Sequence, residues 1–330
     1  MEAPKRAFPV AQRPLPFTPP PRGETGRTMV TAQLTPIGVG IHSVLIATDF
    51  SRCSKQALDL GLQLAKAYKA EAYLVYVLPC DEFMLAGPDA YVAARDASRR
   101  DLENLKAELM HTRSLAEGKD YHLYLLEGDV AQSILHFAQE KHIDLIVLGT
   151  HGRGGLGKAL MGSVAERVFR GSTVPVLTIG PRARRASLAL APKHILVAAD
   201  FTPASERAAQ FAAGLASIHR SQLTLLHVFN PKELEQIPDR DRVLRVMETS
   251  LIKLLGTETT VSCTARLEPG RVVPSILRVE DEIEADLLVM GVRPTIGVLE
   301  RFMWPNAYEA VRESSCPVLT VRERATSGTH

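Results

Sequence analysis

The chain has 330 residues, a net charge of +2, 45% hydrophobic and 23% charged residues, and four cysteines without a C-x-x-C spacing. This composition is typical of a globular protein with room for two α/β domains, and no window reaches the roughly 18 consecutive apolar residues of a membrane span. The small net charge and the 5% of aromatic residues indicate no nucleic-acid partner. The cysteine spacing predicts neither a zinc site nor a disulfide framework, so we expect a cytoplasmic protein.

The first forty residues differ in composition from the rest of the chain. Residues 1–40 are rich in proline and arginine and have no periodic apolar face, so we predict a disordered tail. A proline-rich docking motif is the alternative. The tail lacks the continuous apolar core of a signal peptide, and Met29, just before the first predicted strand, is a candidate for the true start. A second, short tail is predicted at 324–330.

The rest of the chain is an internal repeat. Residues 42–78 align without gaps to residues 193–229 at an offset of 151, with ten identical pairs among 37. From Gly128 onward the offset is 142, which pairs DLIVLG with DLLVMG and VPVLTI with CPVLTV. We therefore predict a tandem repeat with a linker rich in proline and arginine. The predicted parts are a first domain at 41–180, a linker at 181–192 and a second domain at 193–323.

Each half alternates short β-branched runs with helical patterns. In the first half, strands are predicted near 43–48, 72–78, 121–126, 144–148 and 175–179. Helices are predicted near 54–69, 90–117, 129–141 and 163–171. This alternation predicts an α/β fold with two open parallel sheets, one in each half, and helices on both faces of each sheet. In such sheets, ligands bind beyond the carboxyl ends of the strands, where the strand order reverses.

A glycine-rich, basic loop follows the fourth predicted strand of the first half. The stretch GTHGRGGLGKALMGS runs from Gly149 to Ser163. Glycines at 149 and 152 let the backbone approach an anion without an intervening side chain. Ser163 and Glu166 match a capping box, which places a helix N-terminus, favourable for phosphate, directly after Gly162. The residue order is not that of a Walker A loop.

The spacing G-2x-G-9x-G-S, together with ATDFS after the first strand, resembles the ATP-binding branch of the universal stress protein family. The resemblance implies Rossmann-like, five-stranded sheets of order 3-2-1-4-5, and pairing of domains through their fifth strands, within the chain or in a homodimer. ATP, with or without Mg²⁺, is the implied cofactor, and Arg153 could supply countercharge from the loop. The implied nucleotide-binding residues are Thr48, Asp49, Val77, Gly149, Gly152, Gly162, Ser163 and Val164.

Two of these residues have distinct expected roles. Because Asp49 would repel phosphate, we expect it to accept from a ribose hydroxyl or to meet a bound Mg²⁺. The alternative is that Asp49 caps the helix predicted from residue 54. Val77 would offer its backbone to adenine and its side chain as an apolar wall.

His151 has no Ser or Cys partner in reach by spacing, so it is predicted to be structural, and no catalytic residue is assigned.

The equivalent loop of the second half reads GVRPTIGVLERFMWPNAYE. The positions of Gly152, Gly162 and Ser163 hold Pro294, Trp304 and Pro305. Proline removes a donor N–H, and an indole fills space that a phosphate would need. We therefore predict one ATP per chain, with the second domain serving as a pairing partner or as a site for a different ligand.

The predicted function is that of an ATP-binding stress-response or signalling module. A slow ATPase and a nucleotide-independent dimerisation or scaffold protein are the alternatives. The spacing offers no second carboxylate, no water-positioning glutamine and no arginine finger, which favours binding over catalysis.

Overall fold

The computed structural model describes residues 40–80, 87–150, 161–184, 191–235, 237–256, 261–293 and 305–323, and the backbone of residues 27–32. The strands are β1 (Arg27–Ala32), β2 (Ser43–Ala47), β3 (Glu71–Leu78), β4 (His122–Glu127), β5 (Leu145–Gly149), β6 (Val176–Ile179), β7 (His194–Ala198), β8 (Gln222–Phe229), β9 (Val261–Pro269), β10 (Leu287–Val292) and β11 (Val318–Arg322). The helices are α1 (Arg52–Tyr68), α2 (Pro88–Arg113), α3 (Val130–Glu140), α4 (Ser163–Gly171), α5 (Pro203–His219), α6 (Pro231–Leu234), α7 (Arg240–Lys253), α8 (Val272–Glu282) and α9 (Pro305–Glu313). Among the described residues, no helix has the length and apolar character that crossing a membrane requires.

These strands form one continuous sheet in the order β1-β9-β8-β7-β10-β11-β6-β5-β2-β3-β4. The first half contributes β4-β3-β2-β5-β6 and the second half β9-β8-β7-β10-β11, and within each half neighbouring strands are parallel. The predicted α/β fold and the strand order 3-2-1-4-5 are confirmed in both halves. The two predicted sheets are merged into one, because β6 pairs antiparallel with β11.

The junction between the halves has an approximate two-fold symmetry. The hydroxyl of Thr178 donates to the carbonyl of Val318 at 3.0 Å, and the hydroxyl of Thr320 donates to the carbonyl of Val176 at 3.2 Å. Thr178 and Thr320 are equivalent under the 142-residue offset, as are the two valines. All four residues are buried. The fifth strands therefore pair within one chain, so that neither leaves an open edge.

A hydrophobic core lies on each face of the sheet. On one face, α1 and α5 pack over the central strands of both halves and form one apolar cluster that crosses the junction. On the other face, α3 and α4 cover the first half, and α8 and α9 cover the second. Successive residues of β2 divide between these faces: Val44 and Ile46 belong to the α1 cluster, and Leu45 to the α3 and α4 cluster. Because helices cover both faces of the sheet, a ligand would have to bind at the ends of the strands, and in such folds it binds at the carboxyl ends.

Part of the predicted tail is a strand. Residues 27–32 form β1, which pairs antiparallel with β9 from Arg27 opposite Arg266 to Ala32 opposite Val261. The prediction of a disordered tail is corrected for these six residues, and Met29 lies in the middle of the strand. Without β1, β9 would be an edge strand with a row of unpaired N–H and C=O groups. These backbone groups can pair with any extended segment, so β1 forms without an apolar sequence pattern that would predict it.

Candidate functional site

The carboxyl ends of β2, β3 and β5 meet where the strand order of the first half reverses, and we call this edge the first-half crevice. β2 pairs with β3 on one side and with β5 on the other, which is the arrangement that forms a ligand crevice in open α/β sheets. The predicted site residues described by the structure are Thr48, Asp49, Val77, Gly149, Gly162, Ser163 and Val164. Gly152 and Arg153, like His151, belong to the stretch 151–160, which lies outside the described residues.

The turn after β2 is held by its own polar groups. The Thr48 N–H donates to the carbonyl of Val75 at 2.9 Å, and the Thr48 hydroxyl accepts from the Phe50 N–H at 3.1 Å. Phe50 has a φ of 63°, a conformation that bulky residues rarely adopt. Asp49 Oδ1 accepts from the N–H of Ser51 at 3.0 Å, and Ser51 is the N-cap of α1. The capping alternative for Asp49 is therefore corrected: Ser51 is the cap, and Asp49 holds the backbone of the cap residue.

The equivalent turn of the second half is closed by the equivalent aspartate, Asp200. Asp200 Oδ1 accepts from the Thr202 N–H at 3.2 Å and from the hydroxyls of Thr202 and Ser205 at 2.5 Å each. Burial raises the pKa of Asp200, but these hydrogen bonds and the charge of Arg293 outweigh it and hold the pKa below its usual value. Phe201 repeats the left-handed conformation with a φ of 60°. Because both halves keep this turn, the aspartate stabilises the turn whether or not a nucleotide loop follows.

The peptide groups of Val77 face the crevice. Successive residues of a strand direct their N–H and C=O groups to alternate neighbouring strands. The carbonyl of Val75 accepts from Thr48 at 2.9 Å on the β2 side, and the carbonyl of Leu78 accepts from Gly128 at 3.0 Å on the β4 side. Val77 therefore directs its N–H and C=O toward the β2 side, past the bond between Thr48 and Val75. Its side chain is buried in the apolar cluster under α3.

Gly149 lies against the first turn of α1. A Cβ at Gly149 would be 2.7 Å from the carbonyl carbon of Cys53 and from the nitrogen of Ser54. At Gly291, the equivalent residue of the second half, a Cβ would be 2.4 Å from the carbonyl oxygen of Ala204. Near the ends of β5 and β10, glycine is therefore needed so that α1 and α5 can pack directly against the strands. At Gly149 the structure shows a close approach of the α1 backbone, and the binding of a nucleotide anion at this residue stays a prediction.

Helix α4 begins at Ser163 as predicted, but its cap differs from the prediction. The N-cap is Gly162, in an extended conformation and without a side-chain cap. Ser163 is an exposed first helical residue, and Glu166 pairs with Arg170 at 2.9 Å, so the predicted capping box is wrong. The Gly162 N–H donates to the carbonyl of Thr150 at 2.7 Å and ties the helix start to the end of β5. The first turn of α4 thus has the positive end of its dipole at the crevice, and its N-cap residue, Gly162, has no side chain to bind the first-turn N–H groups.

An ion pair between α3 and α4 positions the second of these helices. Asp129, the N-cap of α3, accepts from both terminal nitrogens of Arg167 at 2.6 and 2.9 Å. The Arg167 guanidinium lowers the pKa of Asp129, and the carboxylate in turn raises the pKa of Arg167. Val164, just before this arginine on α4, packs partly buried on the apolar cluster below. Asp129 follows Gly128 as a recognisable helix start, but no sequence signal identifies Arg167 as its partner.

Comparisons with known proteins identify the repeat. The model of the universal stress protein family matches residues 40–180 and again residues 192–322. A universal stress protein of Methanocaldococcus jannaschii is 37% identical over 138 residues, which cover 41% of this chain and 80% of the relative. One from Mycolicibacterium smegmatis is 23% identical over 297 residues, covering 86% of this chain and 98% of the relative.

A solved structure agrees with the fold of the whole tandem. The crystal structure of a universal stress protein from Archaeoglobus fulgidus has a TM-score of 0.65 and 22% identity to this chain, and the match covers 86% of this chain and 98% of the other. The two family matches coincide with the two structural repeats and span well over half of the sequence. The chain therefore belongs to the universal stress protein family and carries two copies of its domain in tandem.

Proposed function

We propose that this universal stress protein binds one ATP in its first half and acts as a nucleotide-dependent stress-response or signalling module. The observation that carries the proposal is the meeting of three unlike groups at one crevice. These are the outward peptide groups of Val77, the carboxylate of Asp49 and the first turn of α4 at Ser163, which follows a glycine N-cap. A base edge, a ribose hydroxyl and a phosphate are the matching chemical groups of a nucleotide.

Each part of the nucleotide has its own contact in this proposal. The N–H and C=O of Val77 bind the edge of adenine, and Asp49 accepts from a ribose hydroxyl. The first-turn N–H groups of α4 and the Ser163 hydroxyl hold phosphate, to which the helix dipole adds roughly 0.3–2 kcal/mol. Gly152 and Arg153 stay assigned to the phosphate chain by the sequence motif. Because the described residues hold no cluster of three or more His, Cys, Asp or Glu side chains, Mg²⁺ would arrive bound to the phosphates and meet Asp49.

The proposal concerns a binding module, and a slow ATPase or a nucleotide-independent scaffold remain the alternatives. The fifth-strand surface already pairs within the chain, so a homodimer would need another surface. A cytoplasmic location is part of the proposal, and none of the four cysteines, all of which the structure describes, forms a disulfide, as expected in a reducing compartment.

The test is a calorimetric titration of the full chain with ATP and Mg²⁺. Ser163→Glu places a carboxylate at the first helical position of α4, where phosphate would bind. An acidic residue at a helix N-terminus stabilises the helix by about 0.3–1 kcal/mol, so the variant should stay folded. We expect its ATP affinity to fall at least about tenfold, which corresponds to about 1.4 kcal/mol.

The matched control adds the same charge in the other half. Asn306→Glu lies in the first turn of α9 and should leave ATP affinity unchanged. An ATP affinity that survives Ser163→Glu, or that falls equally in both variants, would reject the site in the first half.

A further inference from the structure

A cavity of about 330 Å³ opens at the carboxyl ends of β7, β8 and β10 in the second half. This volume lies at the small end of the roughly 300–1,000 Å³ that small-molecule sites occupy. The apolar part of its lining includes Val228, Val272, Ile276 and Met290, and the polar part includes Asp200, Arg293 and Asn306. It is the counterpart of the first-half crevice, since the repeat pairs Asp200 with Asp49, Val228 with Val77 and Gly291 with Gly149.

The peptide groups of Val228 face this cavity. The carbonyl of Leu226 accepts from Ala199 at 2.9 Å on the β7 side, and the carbonyl of Phe229 accepts from Gly270 at 3.0 Å on the β9 side. By the alternation along a strand, Val228 directs its N–H and C=O toward the β7 side, past the bond between Ala199 and Leu226. A donor beside an acceptor matches the edge of a planar heterocycle in which a ring nitrogen lies next to an amino group.

The polar end of the cavity carries one charge of each sign. Arg293 Nη2 lies 3.6 Å from Asp200 Oδ2. This pair can give a hydroxyl group both an acceptor and a donor without placing a net charge in the cavity.

The helix start beside this cavity has lost its phosphate-binding features. Helix α9 begins with Pro305, which has no N–H to offer, at the position that Ser163 holds in the first half. By sequence, Trp304 stands where the first half has Gly162. The second half has therefore kept the groups that suit a heterocycle and hydroxyls, while those that suit a phosphate chain are replaced.

We propose that this cavity is a second ligand site, which takes an uncharged molecule of the nucleoside class: a planar nitrogen heterocycle with a hydroxylated arm and no phosphate chain. The heterocycle meets the peptide groups of Val228 and the apolar side chains of Ile276 and Met290. The hydroxylated arm meets Asp200 and Arg293. This site is separate from the first-half crevice and does not depend on ATP binding there.

The test uses adenosine as the probe and two variants that the repeat makes equivalent. Asn306 is exposed on the first turn of α9 and lines the cavity, so Asn306→Trp fills the cavity from its rim. Val164 holds the same position on α4, and Val164→Trp fills the first-half crevice. In calorimetric titrations of the full chain carrying Val164→Trp, whose first-half crevice is closed, we expect adenosine still to bind. Adding Asn306→Trp to this chain should weaken the remaining binding at least about tenfold, or about 1.4 kcal/mol.

Two further measurements make the result specific. Asn306→Gln, which keeps a side chain of similar size, should retain adenosine binding, and unfolding midpoints confirm that each variant is folded; Asn306→Phe replaces the tryptophan variant if that one unfolds. In the Val164→Trp variant, ATP should displace adenosine at least about tenfold less effectively than unlabelled adenosine does. The proposal is overturned if adenosine does not bind, if Val164→Trp rather than Asn306→Trp removes binding, or if ATP competes as well as adenosine.

Discussion

The hydroxyl of Tyr68 lies 2.8 Å from Nε2 of His219, and these two residues occupy the same position in the two repeats. The two-fold arrangement of the halves brings the ends of α1 and α5 together over the junction of β6 with β11. The two rings meet edge to face with their centroids 5.6 Å apart. They line a small apolar cavity of about 50 Å³ between the halves, together with Leu177 and Leu319. This polar contact thus lies beside an apolar cavity at the junction of the halves.

Acid should weaken the folded tandem through His219. Burial lowers the pKa of His219 below its usual 6.5, so the folded chain keeps the imidazole neutral, as an acceptor for the Tyr68 hydroxyl. The unfolded chain then binds more protons as the pH falls below 6.5, and stability is lost as the pH falls toward the folded pKa. We expect the free energy of unfolding in urea to drop between about pH 7.5 and about pH 5.5, and to drop less in His219→Phe.

An exposed histidine provides the control for this measurement. His136 lies on the exposed side of α3, so His136→Phe should keep the wild-type pH dependence. If His219→Phe shows the same loss of stability in acid as the wild type, the buried imidazole does not govern it. Burial also raises the pKa of Tyr68, so the contact itself persists on the alkaline side until the phenol ionises.

Alanine at the two strand-end glycines should destabilise both halves to a similar extent. A Cβ at Gly149 or Gly291 would lie under 3 Å from the backbone of α1 or α5, which forces the helix away from the strand. We expect Gly149→Ala and Gly291→Ala each to lower the free energy of unfolding by roughly 1–3 kcal/mol, measured by urea denaturation. If Gly149→Ala kept wild-type stability and lost only ATP affinity, the glycine would serve the ligand rather than the packing of α1.

Removal of β1 should expose the β9 edge. A chain that begins at residue 27 keeps β1 and should match the wild type in its melting temperature, whereas a chain that begins at residue 33 loses it. The amides of Cys263 and Ala265 lie on the β1 side by the alternation of β9. We expect these amides to exchange faster in the shorter chain and the chain to self-associate through the open edge. Equal exchange in both chains would contradict a stable pairing of β1 with β9.

The local sequence pattern predicted the individual strands and helices, because β-branched runs and helical periodicity are short-range properties. The internal duplication predicted that the chain has two equivalent halves. The features that were missed depend on packing between distant segments. The packing role of Gly149 depends on the close approach of α1. The ion-pair partner of Asp129, which caps α3, is Arg167 on the next helix, α4. Gly162 replaces Ser163 as the cap because the backbone of Thr150 binds its N–H. The contact between Tyr68 and His219 needs the two-fold junction, although their equivalence is visible in the alignment.

Hydrolysis of ATP should be slow if binding is the function. The described part of the crevice offers Asp49, whose Oδ1 accepts from the Ser51 N–H, and Ser163, which contacts no histidine among the described residues. We expect phosphate release from the pure protein with ATP and Mg²⁺ to stay well below the roughly 1–100 s⁻¹ of kinases. Turnover in that range that disappears in Asp49→Asn would establish the ATPase alternative instead.

The ATP stoichiometry should be one per chain. Both halves keep the aspartate turn and the outward peptide of the second strand, so the halves differ mainly in the loop and the helix start. In the first half, α4 follows the N-cap Gly162, which has no side chain to cap the helix, and begins with Ser163. In the second half, α9 begins with Pro305, which removes a donor where phosphate would need one.

A calorimetric titration with ATP should therefore fit close to one site, and Ser163→Glu should remove that site while Asn306→Glu leaves it. Two equivalent ATP sites would mean that phosphate is held at α9 without a glycine or a serine at its start, and the assignment of ATP to the first half alone would fail.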